Sequence, residues 1–184
     1  MQTKLSPQLK AGDGLPLFVR KISLAKWPNE LISRSDYPAD SISDLRTSQN
    51  RLSFWVIDSI NHLQIAIIAL ATAPLNNKLE KMQLLWIDES DLKKEGFIIK
   101  QSDGETAAVV YKETHRDIDN LTYHSLGVMA EIIVHAIHKE NYRIIKTPDV
   151  KEFVRQAYIK GDIDLNRCNP GIAEVLRGYG DTKN

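Results

Sequence analysis

Apolar positions recur along this chain with two different periods. Alternation with period two, or a short apolar run between turn formers, is typical of β-strands, and apolar residues three and four positions apart indicate helices. Arg51–Asp58 places apolar residues on both sides of its pleat, and Met82–Asp88 repeats the pattern. Both segments therefore read as central strands covered on both faces, and we expect Trp55 and Trp86 to be buried.

Further strands are predicted on either side of this pair. Leu15–Ser23 is rich in β-forming residues. Phe97–Gln101 and Thr106–Glu113 are interpreted as paired strands because Ser102–Glu105 between them is a turn-forming set. We expect Gly104 in that turn to have positive φ. Two adjacent strands joined by a hairpin argue against a parallel, doubly wound sheet.

The predicted helices share a 3.6-residue apolar period and recognisable end signals. They are Asp40–Thr47, His62–Thr72, a short helix from the cap Asp88 through Lys94, a long helix from Asp117 to about Glu140, and two C-terminal helices. The C-terminal pair starts at Thr147-Pro148 and at Asn169-Pro170, and its predicted stops are Gly161 and Gly178.

These elements predict an α+β fold in a single domain, with a central mixed or antiparallel sheet of about five strands. The long helix is expected to pack on the sheet. We divide the chain into a flexible N-terminus over 1–14, a core over 15–146 and a short C-terminal helical appendage over 147–184.

The amino-acid composition argues against several classes of function. The 184 residues suit one domain, and Lys plus Arg (24) balance Asp plus Glu (24), which argues against a chain that coats nucleic acid or an anionic membrane. The single cysteine, Cys168, excludes an intrachain disulfide. No apolar run approaches the roughly 20 residues of a membrane span, and no signal peptide is visible. We therefore expect a cytoplasmic protein with no membrane partner.

One constellation on the long helix could carry chemistry. On a helical wheel that begins at Asp117, this residue shares a stripe with His124, Glu131, His135 and His138. Imidazole and carboxylate side chains suit a divalent metal such as zinc or manganese. The remaining helix is almost continuously apolar, however, and needs one polar edge toward solvent, which explains the stripe equally well. The solvated edge is the favoured interpretation, because a closed metal site needs donors from other elements as well.

Weaker catalytic candidates lie at element ends. Asp58 and Asp88 each end a predicted central strand, and two carboxylates at neighbouring strand ends can hold magnesium for phosphodiester chemistry. Helix capping accounts for the same residues. His115 and Arg116 stand between a predicted strand and the long helix, where functional loops are common, and Arg116 can bind a phosphate or a carboxylate.

Nucleic-acid binding is an open but not favoured possibility. Phe18 and Trp27 are interleaved with basic residues, as base stacking requires. The basic residues are Lys4, Lys10, Arg20, Lys21, Lys26 and Arg34. Glycine-rich nucleotide loops and a GxSxG motif are absent from the sequence, so we predict no cofactor.

Two function classes remain. The first is a non-catalytic interaction or regulatory subunit that acts through a protein partner, for example in a small bacterial toxin–antitoxin or defence system. The alternative is a metal-dependent hydrolase or nuclease that uses the His/Glu stripe or the strand-end acids.

Overall fold

A computed structural model describes residues 16–33, 36–45 and 47–180, which build one antiparallel six-stranded sheet. The strands are β1 (Leu17–Ile22), β2 (Leu52–Ile57), β3 (Met82–Asp88), β4 (Ile98–Gln101), β5 (His115–Asp119) and β6 (Tyr142–Ile145). Their order across the sheet is β4-β5-β2-β1-β3-β6, and each neighbouring pair is antiparallel. The predicted α+β class is confirmed, with one strand more than expected. The predicted N-terminal segment 1–14 lies outside the described residues.

Helices cover both faces of this sheet. They are α1 (Ala39–Asp44), α2 (Leu63–Ala71), α3 (Glu89–Lys94), α4 (Tyr123–His138), α5 (Thr147–Lys160) and α6 (Pro170–Gly180). Buried residues of α2, α5 and α6 form one core, on what we call the α2 face, and those of α3 and α4 form the other, on the α4 face. In the part of the chain that the structure describes, no helix is long and apolar enough to cross a membrane.

The two-sided apolar runs form the middle of the sheet, as predicted. Trp55 of β2 and Trp86 of β3 are both 4% exposed and lie in the core of the α2 face. Their neighbours in sequence, Phe54 and Leu85, point to the opposite core. Alternate side chains of one strand therefore enter two different cores, which is why the polar alternation of a half-exposed strand is missing.

The C-terminal helices, predicted as an appendage, complete the core of the α2 face. Val150 and Val154 of α5 and Leu176 of α6 are fully buried there. Gly161 ends α5 in the left-handed conformation, as its position predicts. Gly178 does not end α6, which continues to Gly180 because a glycine without positive φ can remain helical.

The predicted hairpin is wrong. β4 pairs with β5, and most of the expected strand Thr106–Glu113 belongs to a 3₁₀ helix over Val109–Thr114. Tertiary contacts override the β-propensity of this segment. The hydroxyl of Thr106 donates to the Ala69 carbonyl at the end of α2, and the Ala107 amide donates to the Thr72 carbonyl. Since these backbone and side-chain groups are bonded to α2, they cannot join a strand ladder.

Gly104 therefore does not sit in a hairpin turn, and it is not among the described glycines with positive φ, Gly96 and Gly161. Its constraint is close packing instead. A Cβ built on Gly104 would lie 2.3 Å from the Trp55 ring, well inside contact distance.

The long helix begins later than predicted. Asp117 is not its cap but lies on β5, and α4 starts at Tyr123. The structure caps the helix with Thr122, whose side chain accepts from the Ser125 amide, while Ser125 bonds back to the Thr122 amide in a capping box. Asn120, with a φ of 57°, separates strand and helix. Asp117 consequently leaves the predicted stripe.

β6 was not predicted. It is only four residues long, and it follows α4 directly after Glu140, which turns the chain with a φ of 59°. Its register pairs Arg143 with Leu84 and Ile145 with Met82. A strand this short at the sheet edge gives almost no periodic signal.

Candidate functional site

An open cleft formed by described residues lies between α3 and α4, and we call it the α3–α4 groove. Its volume is about 370 Å³, within the range of about 300–1,000 Å³ that is usual for ligand clefts. The apolar part of its lining comes from α4, where Val128, Ile132 and Ala136 follow one another at helical spacing. Val128 and Ile132 are half-buried, whereas Ala136 is buried in the core of the α4 face.

Charged residues surround this apolar strip. Carboxylates come from Asp91 and Glu95 on the α3 side and from Glu131 on α4, and the ammonium groups are those of Lys94 and Lys139. Three carboxylates against two lysines give the groove an acidic balance. The sequence analysis identified only Glu131 among these five.

A further carboxylate stands close to the groove. The pKa of Asp88 is raised chiefly by loss of hydration and to a smaller extent by repulsion from Asp91. The positive charge of Lys139 lowers this pKa. Asp88 holds the N-cap position of α3 as predicted, but its side chain makes no capping hydrogen bond. Crowded carboxylates of this kind favour a cationic ligand, because a positive charge relieves their mutual repulsion.

His135 presents a defined nitrogen at the exposed side of the groove. Its Nδ1 lies 2.9 Å from the Glu131 backbone carbonyl, one helical turn earlier. Since a carbonyl can only accept, Nδ1 must carry the hydrogen, and in the neutral ring Nε2 then holds the lone pair. The ring therefore offers an acceptor to a bound molecule.

The rest of the predicted stripe does not meet at this point. His124 and His138 are exposed on α4 outside the groove lining, and His124 is seven residues, or about 10 Å along a helix, from Glu131. Among the described residues, no group of three or more His, Cys, Asp or Glu side chains is placed to hold a metal ion. The structure thus supports the polar edge of α4 but gives the zinc or manganese hypothesis no converging donor set.

The strand-end acids are also kept apart. Asp58 follows β2 and Asp88 ends β3, but β1 lies between these strands, with Leu17 paired to both Ile57 and Asp88. Two strand spacings are about 10 Å, too far for one magnesium ion to bridge. Asp58 instead pairs with His62 one turn later, which lowers the pKa of the Asp58 carboxyl.

His115 belongs to a hydrogen-bond set on β5 and its neighbours, which we call the Asp117 network: the buried His115 and Asp117, the half-buried Ser102 and the exposed Ser53. Ser53 and Ser102 donate to the two carboxylate oxygens of Asp117 over 2.9 and 2.7 Å. Nδ1 of His115 lies 2.8 Å from the Ser102 oxygen. Burial, the largest effect, lowers the pKa of His115.

The proton count of the Asp117 network defines its chemistry. Ser102 has one hydroxyl proton and gives it to Asp117, so His115 must donate its Nδ1 hydrogen to Ser102. A general base for a serine nucleophile would instead accept the serine proton. The network is consequently built as a set of mutually satisfied groups rather than as a nucleophile and its base.

The remaining charged residues of β5 have partners too. Asp119 pairs with Lys100 and, at 3.2 Å, with Arg51, and the Lys100 contact is the main cause that lowers the pKa of Asp119. Arg116 donates to the backbone carbonyls of Glu113 and His115 over 2.7 Å each. Arg116 therefore fixes the turn into β5.

The aromatic residues that we predicted to stack on nucleic-acid bases, next to the N-terminal basic residues, are buried. Phe18 and Trp27 are 1% and 4% exposed, so their rings are not available to bases. Arg20 donates to the carbonyls of Ser53 and Asp44, and its guanidinium lies 5.9 Å from the Phe54 ring centre. Lys21 is exposed and Lys26 is half-buried, whereas Lys4, Lys10 and Arg34 lie outside the described residues.

The groove residues that sequence reasoning missed are Asp91, Lys94, Glu95 and Lys139. The first three lie on or next to α3 and Lys139 lies at the end of α4, and no sequence pattern shows that α3 lies beside α4. Comparisons of the chain with family models, with curated proteins and with solved structures give no match.

Proposed function

We propose that the protein is a non-catalytic interaction or regulatory subunit and that the α3–α4 groove receives a short segment of a partner protein. The observation that carries the proposal is the apolar strip of Val128, Ile132 and Ala136 within a charged rim. An apolar centre that excludes water, with a polar rim, is the usual organisation of a protein interface.

The rim specifies the chemistry of the partner. Its acidic balance, with Asp88 crowded next to Asp91, favours a basic side chain. We therefore propose a segment that places an apolar side chain on the strip around Ile132 and a Lys or Arg beside Asp91 and Glu95. Opposite charges at a rim contribute chiefly specificity and association rate, while the apolar contact supplies most of the affinity.

The state of the other candidate residues favours this function over catalysis. His115 and Asp117 satisfy one another through Ser102, and Asp58 is paired with His62. No second function is carried by a comparable observation.

The test is a selection of displayed random peptides on the immobilised full chain, followed by binding measurements on the selected sequences. We expect a shared pair of an apolar and a basic residue. Glu95→Lys reverses one rim charge and is expected to weaken the peptides by about tenfold or more. The matched control is Glu174→Lys, an exposed position on α6, which should leave binding unchanged.

Folding of both variants is checked by circular dichroism. Selected peptides without a basic residue would argue against the proposed partner chemistry. Equal binding of the peptides to wild type and to the Glu95→Lys variant would place their site outside the groove, and the proposal would then fail.

A further inference from the structure

A second, smaller cavity lies on the α2 face at the β6 edge of the sheet, between β6, the first turn of α2 and α5. Its volume is about 130 Å³, roughly that of four water molecules in the liquid. Apolar walls come from Ile60, Ile67 and Phe153, and the polar part from Arg143, Asn61 and Gln64. We call this cavity the Arg143 pocket.

Arg143 is half-buried in this pocket without an anionic partner. Loss of hydration lowers the pKa of Arg143, and no neighbouring charge contributes to that shift. Among the described residues, no carboxylate or carbonyl forms an ion pair or a hydrogen bond with its guanidinium. A partly desolvated charge with no counter-charge is unfavourable, so an anion that enters the pocket gains more than it would at a hydrated surface arginine.

The donor geometry selects the kind of anion. A guanidinium offers two parallel N–H groups that match one carboxylate, and the side-chain amides of Asn61 and Gln64 can supply further hydrogen bonds. The pocket contains one positive charge, which balances a monocarboxylate but leaves a phosphate dianion partly uncompensated. The apolar walls suit a short branched hydrocarbon chain.

From this geometry we propose that the Arg143 pocket binds a monocarboxylate with a short branched apolar chain, with the carboxylate on Arg143 and the chain against Ile60, Ile67 and Phe153. The carboxylate belongs either to a small free acid or to the C-terminus of a peptide that ends in an aliphatic residue. This site is separate from the α3–α4 groove and does not depend on the function proposed for it.

The experiment is a titration of the ¹⁵N-labelled full chain, followed by its amide and arginine side-chain resonances. The probe is 3-methylbutanoate, and 3-methylbutylammonium is the control of the same shape and opposite charge. We expect saturable shifts of the Arg143 side chain with the acid and none with the ammonium ion. Inorganic phosphate should bind more weakly than the acid.

Two pocket variants and one control variant test the assignment. Arg143→Gln removes the charge and is expected to weaken the acid by about tenfold or more, since hydrogen bonds to a charged group are the stronger kind. Arg177→Gln on α6, an exposed arginine outside the pocket, should leave binding unchanged. Ile60→Trp enlarges a side chain of the pocket wall and should abolish binding even where Arg143 is retained.

Two peptides ending in Gly-Gly-Leu, one with a free carboxylate and one amidated, then distinguish the two sources of the ligand. Tighter binding of the free peptide than of 3-methylbutanoate indicates a protein C-terminus, and binding of the small acid alone indicates a free metabolite. Unchanged binding to the Arg143→Gln variant would overturn the proposal, as would tighter binding of phosphate or of the ammonium control.

Discussion

The Asp117 network and the Arg143 pocket place ionisable groups on the same face of the sheet, near its opposite edges. In the network, both carboxylate oxygens of Asp117 accept hydrogen bonds, and His115 has a defined donor role. In the pocket, Arg143 has lost hydration and gained no partner in the described structure. One face of the sheet thus carries one set of satisfied groups and one unsatisfied group.

The difference separates a structural role from a binding role. A buried polar group with partners contributes to folding, because its removal leaves those partners unsatisfied. A partly buried charge without partners costs folding free energy unless a ligand supplies the missing partner. Substitutions in the network should consequently affect stability, whereas substitution of Arg143 should affect binding.

The largest expected effect is that of Asp117→Ala. The change removes the acceptor of the Ser102 hydroxyl and breaks the chain of hydrogen bonds that reaches the buried His115 ring, and we expect a loss of about 2–4 kcal/mol in the free energy of unfolding. Urea denaturation at neutral pH measures it. Glu174→Ala, at an exposed position, should stay within about 0.5 kcal/mol. If the two variants were equally stable, the network would not be structural.

Gly104→Ala should come next, at about 1–3 kcal/mol of destabilisation. The added Cβ would overlap the Trp55 ring, which also packs edge-to-face on His115 at 5.0 Å between ring centres. The matched control is Gly178→Ala on α6, where a Cβ meets nothing within 4 Å. That substitution should stabilise the helix by about 0.5–1 kcal/mol. Thermal melts measure both variants. A lower melting temperature for Gly104→Ala together with a higher one for Gly178→Ala confirms the prediction, and changes in the same direction contradict it.

A smaller effect is expected from pH. Folding lowers the pKa of His115, chiefly through burial, so the unfolded chain binds this proton more tightly. The stability that His115 contributes is complete above its unfolded pKa of about 6.5 and is lost as the pH falls below that value toward the folded pKa. Urea denaturation across this window should show a weaker pH dependence for His115→Asn than for wild type. The control His124→Asn, at an exposed position, should show the wild-type dependence of the unfolding free energy on pH. A weaker dependence in this control would contradict the assignment of the effect to His115.

Local sequence patterns predicted those elements whose signal lies in their own residues, such as a continuous apolar run or a glycine that ends a helix. The two-sided runs of β2 and β3 required two covered faces, and Gly161 required a left-handed helix end. β5 could not be found in this way, because the residues that it buries on one side are His115, Asp117 and Asp119. In the sequence, buried polar residues of a strand resemble the polar residues that begin a helix. Only their partners in the folded chain distinguish the two.

The candidate site shows the same limit. Helical periodicity placed Glu131 and His135 on one side of α4, as the groove confirms. Asp91 and Glu95 enter the groove only because α3 and α4 lie on the same face of the sheet, and Arg143 meets Asn61 only because β6 lies at the edge next to α2. Such juxtapositions depend on strand order, which the sequence periodicity does not contain.

The smallest expected change in stability is that of Arg143→Met, which keeps a straight apolar stem and removes the charge. Because the guanidinium has no hydrogen bond or ion pair in the described structure, its loss should leave the free energy of unfolding within about 0.5 kcal/mol or raise it slightly. Arg20→Met is the comparison variant, because the Arg20 guanidinium has hydrogen-bond partners. Burial lowers the pKa of Arg20 to about 10, but its guanidinium donates to the Ser53 and Asp44 carbonyls, so we expect a loss of about 1–3 kcal/mol there. Urea denaturation of both variants decides the comparison: a loss at Arg143 as large as that at Arg20 would make Arg143 part of the fold rather than a residue kept for a ligand.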